Sequence, residues 1–287
     1  HAIVVGIETY DAGDGWNLDG PANDAFRFAE WLVRQGTPAE NIHLLVAPMG
    51  KPDKDRFRTW NGAPVVWPTR QAVSDVLTRT LPTLTGGRLY LFWSGHGFFS
   101  NDAQRRLFYA DAHPKYLANL DFDSLLRALR TDAFPGFGTQ VLFVDACATI
   151  VSAAQNRLMP GDLLPEGQQT AGREQFALFA ASEGQVARNV RQDQTGLFSA
   201  VLLDSLAEQP GWPPDMRLLR DAIYARFKQL RTADKTLQVP TYMWYRNGQT
   251  GEDGMHYRQD GGPPDRPPRI AKAVERRHYV ERLAFEV

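Results

Sequence analysis

The chain has 287 residues, 43% of them hydrophobic and 23% charged, enough apolar material for the core of one large α/β domain or two small ones. A formal net charge of -1 gives no overall field to recruit nucleic acid or an anionic membrane, and no apolar run approaches the roughly 20 residues of a membrane span. The single cysteine excludes an internal disulfide framework and four-cysteine zinc sites, and it fits a reducing, cytoplasmic setting.

No signal peptide is visible, and because the chain begins at His1 rather than Met it is expected to be a fragment, a processed form or an incompletely ordered chain. Residues 2–7, AIVVGI, are continuously apolar, the pattern of a strand buried on both faces of a parallel sheet. Residues 8–20 are rich in Gly, Asp and Asn and form a loop above the strand end. Asn23 or Asp24 then opens a helix to about Gln35, with Phe26, Ala29, Trp31, Leu32 and Val33 as its apolar face and Gly36 and Pro38 as its stop. A second strand covers 42–46, and 48–68 is an irregular excursion. Thr69 caps a helix over 70–81 that turns Val73, Val76, Leu77 and Leu81 inward.

The strongest strand is 88–93, RLYLFW, which runs directly into Ser94-Gly95-His96-Gly97. A short hairpin arm follows at 106–110, then a helix over 122–129 introduced by Asp121. The strand at 140–144 ends in Asp145-Ala146-Cys147. Residues 149–174 are a long polar stretch with several Pro and Gly, and loops of that length inside a domain commonly carry function. A strand at 176–181, an apolar helix at 196–207 and a strand at 239–245 close the pattern. Between the last two lies a helix at 216–230, with Leu218, Leu219, Ile223 and Phe227 on one side. Beyond residue 247 the composition shifts to a linker, GGPPDRPPR, and a charged helix at 270–283. We therefore divide the chain into a domain over 1–247 and a Pro/Gly-rich linker with a charged tail over 248–287.

Strands alternating with helices predict an α/β three-layer sandwich, a mostly parallel six-stranded sheet with helices on both faces. No glycine-rich phosphate loop follows any strand, so nothing supports nucleotide binding. Two strands end in chemically distinctive residues, His96 and Cys147. If those strands are neighbours, both side chains surface at one sheet edge, where open α/β sheets place reactive groups. A free thiol titrates at about 8.5 and only its thiolate attacks carbonyls well; a histidine in reach can activate it and then protonate a leaving amine. The N–H groups of Gly97 and Cys147 are natural donors to a developing oxyanion. Seen alone, each residue would more often be a packing cysteine or a turn histidine; their pairing at two strand exits favours chemistry.

This arrangement resembles the caspase/metacaspase cysteine proteases, including bacterial caspase-like peptidases of the caspase-haemoglobinase fold. The matching residues are SGHG at Ser94 to Gly97, D-x-C at Asp145 to Cys147, and L-x-G-x-x-N-D-A at Leu18, Gly20, Asn23, Asp24 and Ala25. FALFAASEGQVA from Phe176 and GLFSAVLLDSL from Gly196 complete the set, in the family's order over residues 2–247. The resemblance implies a His96–Cys147 dyad and a cysteine endopeptidase acting on protein substrates. It also implies regulation by an activating or inhibitory protein partner, or by proteolysis of a zymogen. Bacterial relatives of this kind serve in stress responses, cell death and antiviral defence against phage.

Animal caspases carry glutamine where this chain has Asp145. Metacaspases use aspartate there and in the N-D-A motif to hold an arginine or lysine side chain, and Asp24 and Asp145 match those positions. Two convergent carboxylates favour a guanidinium and repel an acidic side chain, so cleavage after Arg is expected, with Lys accepted. Ser182 is a further candidate for the same pocket. Metacaspases often need calcium, and Asp102, Asp111, Asp121 and Asp123 fall in the corresponding region. Their spacing forms no recognisable calcium loop, so no metal or other cofactor is expected. Arg157 and Arg173 in the 149–174 linker are candidate self-processing sites, and Arg188 and Arg191 are a second, less suitable pair. Two other readings remain: a catalytically silent caspase-fold scaffold, and a thiol transpeptidase or ligase that would use the same acyl-enzyme. Animal caspases dimerise through their last strand and metacaspases are usually monomers, so the resemblance leaves oligomeric state open.

Overall fold

The computed structural model describes residues 1–50, 57–100, 104–150, 159, 161–190, 194–233, 235–247 and 254–259. In chain order the main elements are β1 (Ala2–Ile7), α1 (Pro21–Arg34), β2 (Ile42–Ala47), α2 (Arg70–Asp75), β3 (Gly86–Ser94), β4 (Gly97–Phe99), β5 (Arg105–Phe108) and β6 (Asn119–Asp121). These are followed by α3 (Phe122–Ala128), β7 (Phe137–Asp145), β8 (Arg173–Phe179), α4 (Leu197–Ala207), α5 (Met216–Thr232), β9 (Thr241–Asn247) and β10 (Gly254–Gln259).

The central sheet runs β10-β9-β8-β7-β3-β1-β2. The five strands from β8 to β2 are parallel, and β9 and β10 are antiparallel additions. Register explains the apolar runs. Leu45, Val5, Trp93, Val144 and Phe179 form one row across the sheet, and Leu44, Val4, Phe92, Phe143 and Leu178 the next. Side chains alternate along a strand, so neighbouring rows face opposite layers. The first row packs with Val73 and Leu77 beside α2 and with Leu125 and Leu126 of α3. The second packs with Phe28 of α1, Leu202 of α4 and Ile223 of α5. Both faces are covered, so each strand must be apolar throughout.

Some expectations need correction. The six expected strands are all present as β1, β2, β3, β7, β8 and β9, and Gly254–Gln259 adds a seventh antiparallel to β9, so ordered structure extends beyond residue 247. The linker composition begins only at Gly261. The helix over 70–81 is α-helical only to Asp75; it widens into a π turn at Val76–Thr80 and tightens into a 3-10 turn at Leu81–Thr83, where Pro82 has no N–H to continue the helix. Val33 and Leu218, assigned inward, face solvent at the margins of their helices. The helix at 270–283 lies outside the described residues. No helix among the described residues is long and apolar enough to cross a membrane.

A smaller sheet sits beyond the ends of β3 and β7. It contains β4, β5 and β6, with Thr149–Ile150 alongside β4 and Gly161–Asp162 alongside β6. Two chain segments therefore pass from one sheet into the other side by side: Gly95–His96 between β3 and β4, and residues 146–148 after β7. These joints carry the chemistry.

Candidate active site

Strand pairing fixes the relation between His96 and Cys147. Ser94 is in register with Asp145 at the ends of β3 and β7, and Phe98 is in register with Thr149 beyond the joint. Between them the two segments touch. A Cβ built on Gly97 would lie 2.9 Å from the Ala146 Cβ and 3.1 Å from the Cys147 carbonyl oxygen, so any larger residue would separate the joints.

His96 is buried in an aromatic box. Its ring meets Tyr10 at a centroid distance of 4.9 Å and Trp16 edge-on at 5.4 Å. Nε2 donates to the Trp16 carbonyl at 2.8 Å. A carbonyl can only accept, so Nε2 carries the proton and Nδ1 is the basic nitrogen of the neutral ring. Cys147 is buried, and its thiol makes a weak contact to the Ala187 carbonyl at 3.8 Å.

Asp145 and Asp24 converge on one segment, Thr195 to Ser199. Asp145 Oδ2 accepts from the Ser199 N–H at 3.0 Å and from the Ser199 hydroxyl at 2.7 Å. Among the described residues Oδ1 of Asp145 accepts no hydrogen bond. Asp24 Oδ2 accepts from the Gly196 N–H at 2.8 Å, and Oδ1 accepts from the Thr195 hydroxyl with Arg27 4.0 Å away. Gly20 of the N-D-A motif lets these parts close up: it has φ +128°, and a Cβ there would strike the Thr195 backbone nitrogen at 2.8 Å. Burial pushes the Asp145 carboxyl up to about 6 against the two Ser199 bonds. Burial pushes Asp24 up to about 8, and the nearby Asp145 adds to that, against Gly196, Thr195 and Arg27.

The other expected residues fall elsewhere. Ser182 bonds the Val239 carbonyl through both its N–H and its hydroxyl, at 2.9 Å each. That closes residues 180–185 onto the segment before β9, and no hydrogen bond ties Ser182 to either aspartate. Arg173 is the buried first residue of β8, its guanidinium donating to the Phe137 and Phe134 carbonyls. It is part of the sheet and not an exposed linker site, so it is withdrawn as a processing position. Arg157 and Arg191 lie outside the described residues, and Arg188 bonds Gln238 and Lys235.

Of the acidic residues, Asp111 accepts from the Arg70 N–H at 2.8 Å, Asp121 caps α3 and pairs with Arg106 at 3.3 Å, and Asp123 accepts from the Arg105 N–H. Asp102 lies outside the described residues. Among those described, no three His, Cys, Asp or Glu side chains are grouped to hold a metal ion. Sequence reasoning missed Tyr10, Trp16, Thr195 and Ser199. The aromatic pair inside a Gly/Asp-rich loop was the one available signal for the first two.

No family model matches the chain, and no curated protein matches its sequence. Similarity in three dimensions is extensive. A structural-genomics protein from Geobacter sulfurreducens aligns with a TM-score of 0.55 at 15% identity, over 87% of this chain and 94% of that one. Caspase-1 from Spodoptera frugiperda aligns at 0.56 and 14% identity, over 89% of this chain and 90% of that one. The pro-form, pro-sf-caspase-1, aligns at 0.51 and 13% identity, over 90% and 84%. The chain has a caspase-like α/β sandwich fold.

Proposed function

We propose that the protein is a cysteine endopeptidase that cleaves after arginine, and more slowly after lysine. The observation that carries this reading is the abutment of the two strand-end joints holding His96 and Cys147, with an oxygen of Asp145 that accepts no hydrogen bond among the described residues two residues from the thiol. In the first step Nδ1 of His96 takes the Cys147 proton and Sγ bonds to the scissile carbonyl carbon. The N–H groups of Gly97 and Cys147 receive the oxyanion. The C–N bond breaks, the amine leaves with the proton from His96, and water, deprotonated by His96, releases the acyl group from sulfur. The substrate guanidinium sits on Oδ1 of Asp145 with Asp24 behind it, a charge-assisted contact in a site that excludes water. Lysine has one compact charge and no planar fork, which makes it the poorer fit.

A panel of fluorogenic peptides with Arg, Lys or Asp before the scissile bond tests this. The wild type should turn over the Arg peptide fastest, and Cys147→Ala should be inactive. Turnover by Cys147→Ala would remove the nucleophile assignment, and preference for Asp would remove the pocket. A wild type that neither cleaves any of the panel nor reacts with an arginine-directed thiol probe would instead support a catalytically silent scaffold.

A further inference from the structure

Tyr10 packs against the Gly95–His96 joint and has no role in the chemistry above. It is 97% shielded from solvent, and its hydroxyl oxygen accepts the His96 backbone N–H at 2.7 Å. Its ring packs on the imidazole and, at 6.0 Å, on Trp16. Gly95 is small for the same reason: a Cβ there would fall 2.7 Å from the Tyr10 oxygen, while the next neighbour, Ile7 Cβ, is at 3.4 Å. The glycine before His96 thus reserves the space that the phenol fills.

The consequence is mechanical. His96 lies between β3 and β4, and its carbonyl still accepts the Phe108 N–H at 3.2 Å, so one half of its peptide environment belongs to the small sheet. The Tyr10 hydroxyl holds the other half. That bond sets the direction in which the His96 side chain leaves the backbone; the ring contact and the Trp16 carbonyl then set its rotation. Burial keeps the phenol neutral throughout the working range, with the His96 N–H opposing and the neighbouring Cys147 reinforcing that effect.

We propose that Tyr10 is a positioning residue for the His96–Cys147 pair: its hydroxyl and ring together fix where Nδ1 of His96 points. This rests on His96 being the base for Cys147, but not on peptide hydrolysis or arginine preference. Tyr10→Phe keeps the ring and removes the acceptor, and Gly95→Ala displaces the hydroxyl without removing it. The measurement is the rate of Cys147 alkylation by iodoacetamide as a function of pH, which needs no substrate. In the wild type, coupling to His96 should give appreciable reaction well below the ordinary thiol range of about 8.5. Each variant should lose about tenfold of that low-pH rate and shift towards ordinary thiol behaviour. On the Arg peptide, kcat should fall while KM holds.

The double variant should be no worse than either single one, because once the hydroxyl is gone the added Cβ has room. Variant profiles superimposable on the wild type would overturn the proposal. So would a wild-type profile already that of an isolated thiol, or fully additive losses in the double variant. If Tyr10→Phe does not fold, the Gly95→Ala profile alone decides. Failure of the wild type to cleave peptides, with the alkylation shifts intact, would remove the peptidase reading and leave Tyr10's role standing.

Discussion

Asp24 and Asp145 are buried acids whose proton affinity is raised by their surroundings, and this has two opposite consequences for pH. Their ordinary value is 3.8, against about 8 and about 6 in the folded chain. Between those values the native state holds protons that the unfolded chain has released, so stability falls as pH rises and levels off above about 8. Asp24→Asn removes the larger contribution. Its melting temperature relative to wild type should climb from pH 5 to pH 9 by on the order of 10 °C, since about three pH units at roughly 1.4 kcal/mol each are converted at about 2–4 °C per kcal/mol for a chain of this size. A constant offset across that range would show that Asp24 is ionised already at pH 5. A bound guanidinium acts in the other direction, because it favours the ionised carboxylates. KM for the Arg peptide should therefore drop as pH rises from 6 to 8, with proton release on binding visible by calorimetry in two buffers.

These four residues, His96, Cys147, Asp24 and Asp145, were legible in the sequence because each stands in a contiguous motif. Their partners were not. Tyr10 reaches His96 across 86 positions, Trp16 across 80, and Ser199 reaches Asp145 across 54. No periodicity connects residues that meet only after the sheet has formed.

At the level of elements, the informative one is α4. Its N-cap is Gly196, which offers no side chain to the exposed backbone N–H groups of the first turn. Asp145, from β7, supplies the missing acceptor to Ser199, and Asp24, from α1, takes the Gly196 N–H. Carboxylates in that position also suit the positive end of the helix. The proposed substrate pocket is thus a helix cap assembled from two other elements, and the helix orients Asp145 by engaging Oδ2 and not Oδ1. Ser199→Ala deletes one of the two bonds opposing the burial of Asp145 and should cost about 1 kcal/mol in stability. It should also move the pH at which Arg-peptide affinity develops to higher values. An unchanged KM–pH profile would separate Ser199 from substrate binding. Gly196→Ala is the harsher variant, since its Cβ would lie 2.0 Å from Asp145 Oδ2. Cleavage after Arg should be lost, while alkylation of Cys147 persists. The apolar stretch over 196–207 identifies α4, but nothing in its own residues shows that its cap comes from elsewhere.

For the whole molecule, six strands and their layers could be read from continuous apolar runs separated by helical segments, because a doubly covered parallel sheet leaves few other places for them. The seventh strand was hidden by its neighbourhood: six residues between position 247 and a Gly/Pro run resemble the start of a linker until β9 is present to pair with them. β10 has a physical task, because without it the outer N–H and C=O groups of β9 form an open edge, a template for another chain. The register from Thr241↔Gln259 to Arg246↔Gly254 satisfies that edge over six residue pairs. β9 also contributes the buried residues Tyr242, Met243 and Trp244, so a partner arriving at its edge would adjoin an apolar surface. A chain ending at Asn247 should therefore self-associate more strongly than the 287-residue chain, in a concentration-dependent equilibrium measurable by sedimentation. Its melting temperature should rise with protein concentration, as folding becomes linked to edge pairing. If both chains sediment identically and melt at concentration-independent temperatures, β10 is dispensable for edge protection, and the control of oligomeric state lies elsewhere on the surface.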